Sequence, residues 1–451
     1  MSIVNSQKPK NQGGFSLPVV VGMGLVVMLL GLTAIASSQN DRVAASAQRS
    51  TAQSLNINEV GVARVQALLK RIPGLASREY DPDNGVDEWS AHANEFGNLC
   101  GTPAIDEVNA VLGGWIAVQD SGYFKVVRYQ PGTTVSTLEV IATNDTETSK
   151  ADLDANNLPE QSIFSIDVTI PYGQLDPNEN PVLWVAEFDD GKNGTLGEGN
   201  QKIDGNVLSQ DCSFVDDDFD PDKNFPEDTE WKVSANPYIE FPSSPPLPSH
   251  ITTITNLSTH CSNAKCTALP HSTDTPDPGT TNIYSYLVSD LKMKGTDGLT
   301  VEPGKKVRIY VQGDIEIRGA AGISSDVSAL QIYGSNGDGI NGKDVNYALP
   351  GDSTIYTTDA IRLRGDGDVH AFIFSPSATA GVDAGGNDGG FYGAMWVNNW
   401  AGPPFGANSN QIIIDVPTGF NWSSLPAELQ SPILTIQPYS SWQRQANPYN
   451  P

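Results

Sequence analysis

Between Lys10 and Asp41 the chain carries no charged residue, and that gap constrains everything downstream. Phe15 to Ala36 form a run of 22 almost wholly apolar residues. A helix needs roughly 20 such residues to cross a bilayer core. Lys8 and Lys10 precede the run, so the positive-inside rule keeps the N-terminus cytoplasmic and exports the remainder. An ordinary secretory signal has a shorter apolar core, roughly 7–15 residues, with a small-residue cleavage site behind it. Here helix-compatible sequence continues past Ser38 with no proline until Pro73. Leu55, Val62, Val65, Leu69 and Ile72 recur at helical spacing and define one apolar face. Ala44, Ala45, Ala47 and Ala52 add helix propensity, and Pro73-Gly74 ends the element. A helix over 15–72 is about 87 Å long, with 15–36 as its transmembrane part.

The rest of the chain reads as β structure. With 43 Gly, 31 Pro and only 18% charged residues, it favours turn-rich sheets over helix bundles. Its net charge of −27 repels nucleic acid and anionic membranes, and no basic patch with interleaved aromatics offsets it. No nucleic-acid partner is expected. Strand-like runs at 114–118, 122–129, 137–142, 162–170 and 182–186 are bounded by Gly, Pro, Asn or Asp. They predict an antiparallel sheet head over 73–230, lying on the helix. A stretch at 231–281, with Pro237, Pro242, Pro245, Pro246 and Pro248, reads as an extended linker. Short strands separated by Gly, Asp and Asn turns fill 282–423 and suit a second, all-β, solenoid-like domain. Within it 335–360 reads as an acidic surface loop, and 424–451 is left as a C-terminal tail. The predicted class is α+β, preceded by a leader at 1–14.

Candidate chemistry is sparse. There is no Gly-x-Ser-x-Gly elbow, His-Glu-x-x-His or phosphate-binding loop, so no enzyme activity is expected. Asp366, Asp368, Asp383 and Asp388 lie on solenoid turns, where a carbohydrate enzyme would need paired acids; turn aspartates beside Gly are usually conformational. Four cysteines, Cys100, Cys212, Cys261 and Cys266, allow three disulfide connectivities in an exported chain. A local Cys261–Cys266 bridge would leave Cys100 with Cys212. The rival is zinc held by His260, Cys261, Cys266 and His271. Asp216, Asp218, Asp220 and Asp222 belong to a run of five carboxylates in seven residues and offer hard oxygens for calcium. Neither that run nor Asp189-Asp190-Gly191 matches an EF-hand loop, and a solvated, self-repelling loop is the plainer reading. No other cofactor is expected. His370, in a strand, reads as structural. Trp396 and Trp400, with Tyr392 and Phe405, read as core before they read as a sugar-binding ledge.

Two stretches resemble a known family. Gly13-Gly14-Phe15-Ser16-Leu17-Pro18, a short basic leader running into a long apolar helix, resembles the type IV prepilin signature. The resemblance implies a prepilin peptidase that cuts after Gly14 and methylates the new amine of Phe15. Major pilins carry Glu at the fifth mature position, whereas this chain has Val19 there. In that respect it resembles minor pilins of the PilX and pseudopilin K type, which are associated with the fibre tip. Residues 299–397 are similar to the C-terminal domain of PilX-like pilus proteins. The matching stretches are Val301–Ile315, Ala329–Gly334, Ala371–Ala378 and Gly390–Met395, in that order. The implied protein is a tip-associated minor subunit of a type IV pilus. It would sit in the inner membrane before assembly and at the cell surface afterwards. Its implied partners are other pilins and inner-membrane assembly proteins, and it would serve assembly and surface or cell contact. The alternative is a membrane-anchored adhesin or polysaccharide-binding protein outside the fibre.

Overall fold

The structure is a computed structural model. It describes residues 16–95, 104–144 except 120 and 133–134, 163–174, 180–188, 202–211, and 233–257 except 237–238 and 240. It also describes 267–337 except 296, 319–321 and 325, 345–400 except 365–366 and 384–389, 413–415, 422–426, 429, 434–436 and 441–444. One helix, α1 (Ser16–Arg71), runs unbroken for 56 residues. Lys70 and Arg71 occupy its last turn, where cations suit the helix dipole. Pro73 then opens a short 3-10 turn, Pro73–Ser77, at the position expected to stop the helix.

The C-terminal part of α1 lies on an antiparallel sheet. Its strands are β1 (Tyr80–Asp81), β2 (Val86–Asp87), β3 (Ile116–Val118), β4 (Gly122–Gln130), β5 (Val135–Thr143) and β6 (Ile163–Gln174). Two short helices, α2 (Glu88–Glu95) and α3 (Ala104–Leu112), close the side. The pleat sends Phe124, Val126, Leu138 and Val140 inward, while Arg128 and Glu139 pair on the opposite face at 3.5 Å. Inward from the helix come Ile57, Val62, Val65, Leu68, Leu69 and Ile72, all buried. Leu55 is partly buried against the same cluster, so the apolar face read from the spacing is the one that packs. Gly61 is required there: a Cβ would stand 2.8 Å from the Phe124 ring and 3.0 Å from Val140.

Among the described residues the second sheet has 16 strands, all paired in parallel, and winds into a solenoid of about six turns. One column contains β7 (Leu183–Phe188), β9 (Val207–Ser209), β10 (Val233–Ala235), β12 (Ile283–Val288), β15 (Lys306–Val311) and β18 (Leu330–Gly334). The long strands β20 (Val369–Asp383) and β21 (Phe391–Trp400) cross this column and bend into the next. The second column adds β13 (Leu291–Met293), β16 (Ile315–Arg318) and β19 (Ala360–Arg364). The third holds β8 (Lys202–Asp204), β11 (Thr267–Leu269), β14 (Gly298–Val301), β17 (Gly322–Ser324) and β22 (Ile413–Asp415). Tyr286, Ile309, Ile332, Ile373, Met395, Leu183 and Val207 stack in register down the inside of the first column. Like residues over like residues give each turn the same apolar floor, so stability comes from neighbour contacts.

Three boundaries differ from the sequence reading. First, β7 to β10 do not join the antiparallel head that was expected to extend to 230. They stack on the far end of the solenoid, with Trp184 on Trp396 and β8 beside β22. Second, the proline-rich stretch is not a free linker. Chain direction forces it to return from β10 to β11 along the solenoid. On the way Ile239, Phe241 and Ile251 bury themselves against the outer side of the first column. Proline cannot feed a sheet ladder, so this strap is held mainly by side chains. Third, the tail supplies β23 (Leu434–Ile436) and β24 (Ser441–Arg444), which pair antiparallel with β6. Every described strand between Gln174 and Leu434 therefore belongs to the solenoid, which is inserted into the head sheet.

The described part of the insert at 335–360 also packs. Tyr347 is fully buried, meets Tyr310 edge-on at 5.1 Å and donates its hydroxyl to Pro245 O at 3.0 Å. Burial pushes that phenol well above its ordinary pKa. The outer row Leu287, Tyr310, Tyr333, Phe374, Trp396, Trp184 and Leu208 is buried, so the first column is covered on both faces.

Candidate functional site

The feature that no packing explains is the N-terminal part of α1. Val20 is 67% exposed, Met23 69%, Leu25 56%, Leu29 53% and Leu32 54%. These positions fall on every side of the helix, not along one stripe. A helix apolar all round requires apolar surroundings on all sides. Its most apolar window has a mean hydropathy of 2.6, and none of it is buried within the protein. The helix is therefore long and apolar enough to cross a membrane. Its backbone bonds are internal, and the Thr33 hydroxyl donates to Leu30 O at 2.9 Å, so this polar group also has a partner inside the helix.

The change from bare to packed helix comes near Ser50. Ser50 Oγ donates to Asn144 Oδ1 at 3.2 Å, and Asn144 Nδ2 donates to Gln53 Oε1 at 3.1 Å. Further on, Arg64 stands 5.4 Å from the centre of the Phe124 ring. Arg71 pairs with Glu107 at 2.8 Å. Polar clasps thus mark where the helix first meets the sheet and where it ends beside α3. One rigid element carries a membrane-compatible end and a core-forming end.

Of the residues singled out in the sequence, Val19 lies in the exposed end, 50% accessible. Gly14, Phe15, Cys100, Cys212, Cys261, Cys266, Asp216, Asp218, Asp220 and Asp222 lie outside the described residues, as do His260, Asp189, Asp190, Asp366, Asp388 and Phe405. Among the described residues no group of three or more His, Cys, Asp or Glu is arranged to hold a metal. His271 approaches Thr273 Oγ1 at 3.0 Å. Trp396 and Trp400 are core residues, 0% and 2% exposed, in agreement with the packing reading. Trp396 donates its indole N–H to Pro181 O at 2.9 Å and stacks on Trp422 at 5.9 Å. His370 stacks on Tyr392 at 4.6 Å; burial lowers its pKa against the opposing pull of Asp368.

Sequence reasoning missed the end cap of the solenoid. Strand β12 is an edge, and unpaired edges invite other chains. Here Asp277 N donates to Ile283 O, and Asp277 Oδ1 accepts from Ser285 N at 3.0 Å. Asp277 Oδ2 accepts from Ser285 Oγ at 2.7 Å, and His250 of the strap lies 3.2 Å from Oδ1. Thr255 N, also on the strap, donates to Leu287 O. Tyr286 donates its hydroxyl to Asp274 Oδ2 at 2.6 Å, and burial raises that phenol's pKa. The Asp277-Pro278-Gly279 turn was visible in the chain, but its use as a cap depends on a strand partner that only folding supplies. Comparison with protein-family models, with curated proteins and with solved structures finds no match to this chain.

Proposed function

We propose that this chain is a minor, pilin-like subunit of a type IV pilus or related fibre, processed between Gly14 and Phe15 and incorporated near the tip. The observation that carries the reading is the single helix with two environments: bare and apolar from Val19 to Ile35, core-forming from Ile57 to Ile72. A subunit that leaves a bilayer to join a fibre needs one apolar surface that lipid or neighbouring helices can cover. It also needs a folded body that stays unchanged in either setting. Prepilin peptidase, other pilins and inner-membrane assembly proteins are the partners of this reading. Recognition and packing are its mechanism. With Val19 in place of an acid, the subunit has no carboxylate at that depth to offer a neighbour's amine.

Mass spectrometry of the mature N-terminus is the direct test. Methylated Phe15 as first residue, with the protein in sheared fibre fractions, is the expected result. A mature chain starting beyond Ala36 would end the reading. An intact helix retained only in membranes would favour the anchored adhesin. That second reading gains support from the solenoid, whose 16 described strands outnumber the 8 described in the head sheet. The larger part of the exported body is then a display surface.

A further inference from the structure

Three neighbouring segments enclose a depression of about 470 Å³ on the solenoid. The first is the Glu302-Pro303-Gly304-Lys305 turn between β14 and β15. The second is the Asp326–Ala329 turn that leads into β18, and the third is Ser424 from the turn Trp422–Ser424. All three are fixed. Lys305 N donates to Glu302 O at 3.0 Å, with Gly304 at φ 76° as the turn demands. Asp326 Oδ1 accepts from Ser328 N at 3.0 Å and from Ser328 Oγ at 2.8 Å. Val307 N donates to Ala329 O at 2.7 Å, tying the two turns together. The Ser424 hydroxyl reaches Ser328 O at 3.5 Å.

The depression brings together two ammoniums, of Lys305 and Lys306, and two carboxylates, of Glu302 and Asp326. Elsewhere on the solenoid Lys292, Arg318 and Arg362 pair with Asp290, Glu316 and Asp314. Lys305 and Lys306 form no ion pair among the described residues. The Lys305 ammonium stands 5.5 Å from the centre of the Tyr284 ring and 3.5 Å from its hydroxyl, which orients it without neutralising it. The chain's net charge of −27 sets off these two ammoniums, which Glu302 and Asp326 of the same lining balance in charge without an ion pair. It also repels densely charged polyanions, so the ligand that fits carries few negative charges. Glu302 and the second oxygen of Asp326 can accept hydroxyl hydrogens, and Pro303 and Ala329 present apolar surface.

We propose that this depression binds a single carboxylate-bearing sugar at the end of a glycan. Its carboxylate meets Lys305 and Lys306, its hydroxyls meet Glu302, Asp326 and the two serines, and one ring face lies on Pro303 and Ala329. A volume of this size suits one or two sugar units. The inference deepens the surface-contact role proposed above but is tested without a fibre, so the two fail separately.

The acidic terminal sugar could be a hexuronate or a nonulosonate, and the test separates these sources. The full chain in detergent micelles is titrated with oligosaccharides ending in each sugar, and with their methyl esters, by calorimetry and saturation-transfer NMR. Saturable binding of one acid, weakened at least about tenfold in its ester, is expected. The K305Q/K306Q variant loses binding by a similar factor while keeping the parent's thermal unfolding, because neither ammonium is held in an ion pair among the described residues. Failure of both acids to bind overturns the proposal. So does equal binding of acid and ester, or a double variant that binds like the parent.

Discussion

Strands β4 and β5 bury one face against α1 and carry only a small cluster around Trp115 and Ile141 on the other, whereas the first solenoid column buries both of its faces. In the head, Phe124, Val126, Leu138 and Val140 point inward and Arg128 and Glu139 point out. That alternation lets one helix complete the core. In the solenoid, Ile309 and Ile332 face inward while Tyr310 and Tyr333 face outward, and all four are buried. The outer face needs its own cover, which the strap, Tyr347 and the segment around Trp422 provide. The comparison teaches that the head is organised by one amphipathic helix. The solenoid is organised by stacking and by segments distant along the chain. The exposed end of α1 follows neither rule, because none of the described residues covers it.

The strongest way to break this comparison is to separate the two bodies. Gln174 and Leu434 are register partners, so a short Gly-Ser link from residue 175 to 433 spans the junction without strain. The head left behind keeps its cooperative unfolding in calorimetry and loses only the solenoid transition. A head that fails to fold would show that the solenoid is part of its core. A second experiment uses paired truncations. Trp396→Ala, which removes a fully buried indole, costs the solenoid about 3–5 kcal/mol. Leu69→Ala costs the head about 2–5 kcal/mol. Each leaves the other body's unfolding transition in place, and a shared shift would merge the two into one cooperative unit.

Membrane insertion separates the two ends of α1. Leu29→Arg places a charge near the middle of the apolar run and costs about 2.5–3.5 kcal/mol of insertion. Fractionation is expected to show less protein in membranes, with the unfolding temperature of the soluble body unchanged. The smallest effect is at His370. Burial lowers its folded-state pKa below 6.5. Its neutral form therefore supports the fold fully above the unfolded pKa. That support declines as pH falls below about 6.5 toward the lowered folded value. His370→Gln flattens this part of the stability profile in denaturant titrations, whereas an unchanged slope would place the dependence elsewhere.

Much of the local structure was legible. The helix expected over 15–72 is observed at Ser16–Arg71, and its buried face is the one the spacing indicated. The region expected to hold short strands between turn residues, 282–423, contains β12 to β22. Membership was not legible. Leu183-Trp184-Val185 has the same β character as its neighbours in the head, and nothing local says that it stacks on Met395-Trp396-Val397, over 200 residues later. Nor does a proline-rich segment announce that Ile239, Phe241 and Ile251 will cover an aromatic row. Proline reports what backbone pairing is forbidden, not what side chains will find. The depression around Lys305 was hidden for the same reason, since its walls come from three separate segments.

Composition and periodicity alone determined that this chain has one membrane-compatible helix with a packing face, followed by short β-strands broken at glycine and proline. They do so because helix propensity, apolar period and turn chemistry act over a few neighbouring residues. Tertiary structure alone decided that the solenoid is inserted between β6 and β23, that its first strands close on its last, and that the strap seals its outer face. Those outcomes depend on which surfaces meet after collapse. Contacts across hundreds of residues are chosen by shape and burial, and no local pattern encodes them.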